Sequence, residues 1–391
     1  MNPPDFVDRL RLCRTEGVGP VTYRRLLRRY STAEAALDAL PALAKAGGRA
    51  TLPVTPSAAS LQRELDQLHR IGAQLLFLDT PAYPPLLALL DDAPPVIAVL
   101  GDLGCLQLRA VAMVGARNAS ANGQRMAETL ARELAEAGLA VVSGLARGID
   151  AASHRGALGV TPDGRTIAAI AGGLDVPYPP EHDDLQARIA AQGAVIAEAP
   201  LGTAPQARHF PRRNRIIAGL ALGVVVVEAA LRSGSLITAR LAQEHGRELF
   251  AIPGSPMDPR ARGSNDLVRQ GAHLTESAAD VLDNLPDHPS RQGLSRDPLF
   301  AEGRRSDPGF ATGQGFSSPV TDYNEPPESP LDQQKARAAI LELLGPSPAS
   351  VDDLVRRCQF SAAAVMAVLL ELELAGRVEA LSGNRVALLS N

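Results

Sequence analysis

Tryptophan is absent from the 391 residues, and aromatic side chains make up only 3% of them. Sequence-tolerant base stacking needs rings, so any stacking surface is confined to a few positions. Cysteine occurs three times, as Cys13, Cys105 and Cys358, far apart and without metal-ligand spacing. That excludes a disulfide framework and fits a reducing cytosol. The histidines are scattered singly. No apolar run approaches the roughly 20 residues that span a bilayer, and the opening MNPPDFVDRL carries acids and prolines where the core of a signal peptide would be. A cytoplasmic protein without membrane contact is expected. The nucleotide fingerprints are missing too. After Val114 the chain reads GARNASANG rather than G-x-G-x-x-G, and no GxxxxGK[ST] loop occurs. Neither dinucleotide binding nor P-loop hydrolysis is supported, and no cofactor or metal is expected. No convincing Ser-His-Asp spacing or carboxylate pair marks an enzyme. The net charge of -4 excludes a protein that coats nucleic acid with its whole surface, so a polyanion site must be a local basic patch.

One stretch lacks acids entirely: none occurs between Glu198 and Glu228. Within it, Arg208, His209, Arg212, Arg213 and Arg215 surround Phe210 and Pro211. The pattern then turns helical through Ile216, Ile217 and Leu220. Gly223 leads into Val224 to Val227, a β-branched run that reads as a strand buried on both faces. Arginines opening a helix suit phosphate, because free backbone N–H groups and the helix dipole add to their charge. A solvated arginine face is the bland alternative, but the missing acids and the interleaved Phe and Pro favour an anion site.

Along the chain, residues 1–72 read as a small helical domain. Gly17-Val18-Gly19-Pro20 is similar to a helix-hairpin-helix turn, whose glycines let backbone amides approach a DNA phosphate. Many helical hairpins use Gly-x-Gly as plain turn chemistry, however, and a packing or dimerising role is favoured over DNA contact. Over residues 73–285 strands and helices alternate. Leu75 to Leu78 and Val96 to Leu100 read as strands, followed by Val111 to Gly115, Leu139 to Ser143, Thr166 to Ala171, Ala194 to Ala197, Val224 to Val227 and Glu248 to Ile252. The helices between them include Gln124 to Ala137, Asp150 to Leu158, Asp183 to Gln192, Arg213 to Leu222 and Leu236 to His245. This pattern implies a Rossmann-like, doubly wound α/β domain with a mostly parallel sheet. Ligands of such sheets bind outside the carboxyl ends of the strands. The Gly-rich loops there carry Arg117 and Arg147 at neighbouring strand ends. Tyr178 and Phe210 are the candidates for stacking.

The blocks MVGARNAS, VVSGLARGIDAASHRGAL, TIAAIAGGLDVPYPPEH, HFPRRNRIIAGLALGVVVVEA, SGSLITARLA, GRELFAIPGS and RGSNDLVRQGA occur in order. Together they resemble the DNA-processing protein A (DprA, also called Smf) family. The resemblance implies a single-stranded DNA-binding protein of natural transformation, which protects incoming strands, helps load the RecA recombinase and works as a homodimer through its Rossmann-like domain. It carries DNA contact to Gly115, Arg117 and Ser120, to Ser143 and Gly144, and to the segment Phe210, Arg212, Arg213, Asn214 and Arg215. Arg147, read from its strand-end position, joins them. Many relatives have Lys where this chain has Arg212; charge is kept, but a planar fork replaces a point-like ammonium.

Residues 286–330, rich in Pro, Gly, Ser, Asp and Arg, read as a disordered linker. Residues 331–391 show three helices and a short hairpin, which resembles the winged-helix module of many relatives. Its third helix, SAAAVMAVLLELELAG, is apolar and acidic, unlike a helix that reads duplex DNA, so a protein-interaction or weak wing-mediated role fits better. Two other classes remain open. In a nucleotide-binding or nucleotide-hydrolysing enzyme, Glu198 or Glu228 would serve as acid or ribose binder, against a capping or ion-pair role for both. The other class is a purely protein-binding adaptor.

Overall fold

The computed structural model describes residues 5–49, 51–286, 330–345, 347–358, 360–381 and 383–389. These fall into two compact units, one formed up to Ala39 and from Val54, the other by Leu40–Pro53 and the C-terminal residues. The linker expected over 286–330 lies almost wholly outside the described residues.

In the first unit nine strands form one sheet: β1 (Ala73–Phe77), β2 (Val96–Gly101), β3 (Ala110–Val114), β4 (Ala140–Ser143), β5 (Arg165–Ile170), β6 (Ala194–Ala197), β7 (Gly223–Val226), β8 (Glu248–Ala251) and β9 (His273–Leu274). Their order is β1-β2-β6-β5-β4-β3-β7-β8-β9. From β6 across to β9 every pairing is parallel, whereas β1 and β2 run antiparallel at one edge. Every residue of β3, β4 and β7 is buried, which is why these strands are apolar runs and not alternating ones.

The helices are α1 (Phe6–Cys13), α2 (Pro20–Tyr30), α3 (Ala33–Ala46), α4 (Ala58–Arg70), α5 (Pro85–Ala88), α6 (Ala121–Glu136), α7 (Ile149–Leu158), α8 (Asp183–Gln192), α9 (His209–Leu220), α10 (Ser235–Glu244), α11 (Arg262–Arg269) and α12 (Ala278–Asn284). One face of the sheet packs Leu87 of α5, Ile217 of α9 and Ala239 of α10 against Ala112 and Val224. The other packs Leu130 and Leu134 of α6, Ala152 of α7 and Val281 of α12 against Met113 and Val225. Helices thus cover both faces, the doubly wound architecture expected. The helices α1 and α4 share a core with the antiparallel edge through Leu10, Leu61, Phe77 and Val96.

Two differences from the sequence reading have simple causes. The two-residue strand β9 is too short to leave a pattern. Helix α9 starts at His209, four residues before the expected Arg213. Pro211 falls in its first turn, where a missing N–H costs nothing. The arginine segment therefore forms the first turns of the helix and does not merely precede it.

Helices α6 and α7 approach closely because Gly156 has no side chain. A Cβ there would lie 2.1 Å from the Glu128 carbonyl oxygen and 3.0 Å from its Cα. Backbone cannot swing aside as a side-chain tip does. Gly156→Ala is therefore expected to destabilise by about 1–3 kcal/mol, although alanine is the better helix former. Chemical denaturation checks this, and a more stable variant would show that the helices part freely.

The second unit contains α13 (Pro330–Leu343), α14 (Val351–Cys358) and α15 (Ala362–Leu374), with strands β10 (Ala349–Ser350), β11 (Val378–Leu381) and β12 (Arg385–Leu388) ordered β10-β12-β11. Ile340, Leu354, Val365, Leu369 and Val386 form its core. Ser361 caps α15 by accepting from the Ala364 N–H at 3.1 Å. This is a winged helix. Ser350 ends the short strand β10, and α14 begins at the next residue.

Candidate nucleic-acid interface

Three loops at the carboxyl ends of β3, β4 and β5 meet the N-terminus of α9. A pocket there is lined by Arg117, Gly144, Arg147, Ile170, Gly172, Val176, Tyr178, Phe210 and Arg213, among others. Residues read as far apart as 117 and 213 are brought to one place by the parallel topology, which puts every strand-to-helix loop at the same edge.

Phe210, in the first turn of α9, is the centre. The Arg117 guanidinium carbon lies 4.9 Å from its ring centroid and that of Arg213 lies 6.0 Å away, both within cation–π range. The Tyr178 ring sits 5.6 Å from Phe210, tilted by 56°. The two aromatic residues singled out from the sequence are thus neighbours. Arg117 and Arg212 are exposed, and among the described residues neither has a carboxylate within ion-pair distance. His209 adds little charge, since burial, then Arg208 and Arg212, hold its pKa below the usual value.

Other expected contact residues are placed differently. Arg147 is exposed but paired with Glu181. Ser120 caps α6, accepting from the Gly123 N–H at 2.9 Å, and donates both its N–H and its hydroxyl to Glu228. Ser143 is buried, its hydroxyl donated to the Met113 carbonyl at 2.6 Å. Arg215 is buried on the far side of α9, where it pairs with Glu198 at 2.5 Å and bonds the Asp92 carbonyl. Asn214 is also buried, its Oδ1 accepting from Arg213 Nε at 3.2 Å. Gly115 is half-buried beside Ile149, with no room for a side chain. Glu198 and Glu228 thus hold an arginine and a helix N-terminus, the roles weighed against catalysis. Among the described residues no three His, Cys, Asp or Glu side chains converge as metal ligands.

Two residues that matter were not singled out in advance. Glu181 partners Arg147. Asp150, at the start of α7, is fully enclosed beside Arg213; burial raises its pKa, with Arg213 opposing that rise. Burial likewise pulls the Arg213 guanidinium down to about 10, with Asp150 opposing. An acid in a helix's first turn was the available signal, but such acids are ordinarily solvated caps.

The fold and site define a class: a doubly wound α/β domain with a cationic, aromatic-floored cleft at its strand ends, followed by a winged helix. Comparison with known proteins gives the family. The model of DNA recombination-mediator protein A matches residues 74–286, that of the DprA winged helix domain residues 324–384, and that of the DprA-like N-terminal HHH domain residues 4–66. The chain belongs to the DNA recombination-mediator protein A (DprA/Smf) family. It is 34% identical to Protein Smf of Synechocystis over 95% of both chains, and 39% identical to Protein Smf of Escherichia coli over 84% of this chain and 81% of that one. A solved structure of DNA processing protein A from Streptococcus pneumoniae is 33% identical, covering 74% of this chain and all of that one, with a TM-score of 0.62.

Proposed function

We propose that the protein binds single-stranded DNA in this cleft, protecting incoming strands during DNA uptake and helping to load the RecA recombinase onto them. The observation that carries the reading is Arg117, exposed, free of acids and resting on Phe210 beside Tyr178. A cation over a ring at a pocket mouth offers a phosphate a charge and an unpaired base a stacking face together. Duplex DNA hides its base faces, so the rings favour a single strand. In this reading Gly115, Arg117, Arg147, Phe210 and Arg212 form the contact surface. Ser120, Ser143, Gly144, Asn214 and Arg215 shape it from beneath.

The protein acts as a binding protein and not as an enzyme, since the strand-end acids Glu198 and Glu228 are already engaged. It works in the cytoplasm as a homodimer through the Rossmann-like domain. No helix among the described residues is long and apolar enough to cross a membrane. In the winged helix, α15 has no basic residue and its Glu371 is buried against Arg337 at 2.5 Å, which supports protein contact over duplex reading.

Fluorescence anisotropy with a labelled oligothymidine tests the reading. Binding that weakens steeply with salt and is stronger than for the matching duplex is expected. Phe210→Leu should lose about 1–3 kcal/mol of affinity, the worth of one stacked base. Absence of binding at low salt, or preference for duplex, would sink the proposal.

A further inference from the structure

Arg213 occupies the root of this pocket, only 5% exposed. Its Nη1 donates to the carbonyl of Gly144 and, at 2.8 Å, to that of Ala169, so it joins the ends of β4 and β5 to the first turns of α9. Gly144 leaves it room: a Cβ there would lie 1.9 Å from Arg213 Nη1 and 2.7 Å from Asp150 Oδ2. Asp150 in turn accepts from the Ala146 N–H at 3.4 Å.

The loop held in this way is strained. Leu145 is fully buried with φ at +56°, a left-handed conformation that a branched side chain rarely adopts. Its carbonyl accepts from His182 Nδ1 at 2.9 Å. Three residues on, Gly148 has φ of +73° and packs so tightly that a Cβ would lie 2.3 Å from the Ala116 carbonyl and 2.6 Å from that of Arg117. A continuous set of contacts therefore runs from Arg213 through the 144–150 loop to the backbone that carries Arg117. Three of the five guanidinium N–H groups of Arg213, two on Nη1 and one on Nε, are thereby committed to the fold.

We propose that Arg213 is a positioning residue: it holds the 144–150 loop in its strained conformation and thereby sets Arg117 at the pocket mouth, without itself contacting phosphate. The assignment rests on the single-stranded DNA reading above for its consequence in binding, but not for the loop restraint itself. Two readouts separate them.

The first is the salt dependence of oligothymidine binding by the full chain. Removal of a phosphate ligand lowers the log–log slope by about 0.7, as expected for Arg117→Ala. Arg213→Met should weaken binding at least tenfold with the slope unchanged, and Arg213→Lys, which lacks the planar fork and the Nε–H that bonds Asn214, should restore less than half of the loss on a logarithmic scale. The second readout is hydrogen exchange of the amides of 145–149 and 116–118. They should exchange at least tenfold faster in Arg213→Lys and in the near-isosteric Asp150→Asn, while amides of β3 and β7 keep their protection and show that the variants are folded. A slope lowered as in Arg117→Ala would overturn the proposal and make Arg213 a phosphate ligand. Unchanged loop exchange in folded variants would overturn it as well. Should the parent fail to bind DNA while loop exchange rises in the variants, the functional reading fails and the restraint stands.

Discussion

Replacing Arg117 and Arg212 together by alanine is expected to weaken single-stranded DNA binding by about 2–5 kcal/mol, from about 1–3 kcal/mol for each, with the larger sum reduced where both serve one phosphate. Arg117 lines the cleft from the end of β3 and Arg212 stands exposed in the first turns of α9, so neither substitution removes the other's support. Both are exposed, and their loss leaves the buried core untouched. The effect should be the same for every base sequence, since phosphate contacts carry no sequence information. The slope of log affinity against log salt should fall by about 1.4, two ligands at about 0.7 each for a single strand. Single variants that match the parent across a salt titration would remove these residues from the interface. Retention of the affinity loss with an unchanged slope would point instead to a folding defect.

Acid should destabilise this protein through one histidine. His154 lies fully buried in α7, and its Nδ1 is 2.7 Å from the Thr166 hydroxyl oxygen. That hydroxyl donates to the Val141 carbonyl at 2.7 Å, so Nδ1 must carry the hydrogen, and Nε2 is buried without a partner among the described residues. Protonation would place a second N–H, and a charge, where no acceptor waits. Burial accordingly lowers the pKa from 6.5 to about 3, with nearby His182, Arg213 and Arg155 adding to the effect. The depressed value belongs to a base, so the folded state keeps His154 neutral while the unfolded chain takes up a proton near 6.5. Stability is full above that pH and is lost progressively as pH falls from 6.5 towards 3. The slope reaches about 1.4 kcal/mol per pH unit, accumulating to a loss on the order of 4 kcal/mol. Urea denaturation at a series of pH values, with parent and His154→Asn compared, isolates the contribution from that of the carboxylates. The variant keeps a donor for Thr166 but cannot titrate, so its curve should be flatter over this window. Parallel curves would show that His154 is not the titrating group.

The doubly wound sheet was legible because its signal is repeated: buried apolar runs such as Val224 to Val227 alternate with helices of the right length, and each unit limits the next. The cationic stretch around Phe210 was legible for a different reason, the complete lack of acids over 29 positions between Glu198 and Glu228. Which arginines face outward was not. Arg212, Arg213 and Arg215 are the same residue type within four positions of one helix, yet the first is exposed, the second bonds strand-end carbonyls and the third pairs with Glu198. Helical rotation turns each to a different neighbour: Ala169 in β5, Gly144 and Glu198 just past β4 and β6, and Asp92 between α5 and β2, positions that composition cannot locate. The same holds for Arg147, whose partner Glu181 lies 34 residues away.

By itself the sequence determined the alternation of elements, the winged helix, the acid-free stretch and the pairing of few aromatics with many arginines. These are local or periodic properties, written in the order and spacing of residue types. Only the tertiary structure decided which cations stay open to a polyanion and which are spent inside the fold. That depends on burial and on carboxylate or carbonyl partners, brought together by the crossovers of the sheet.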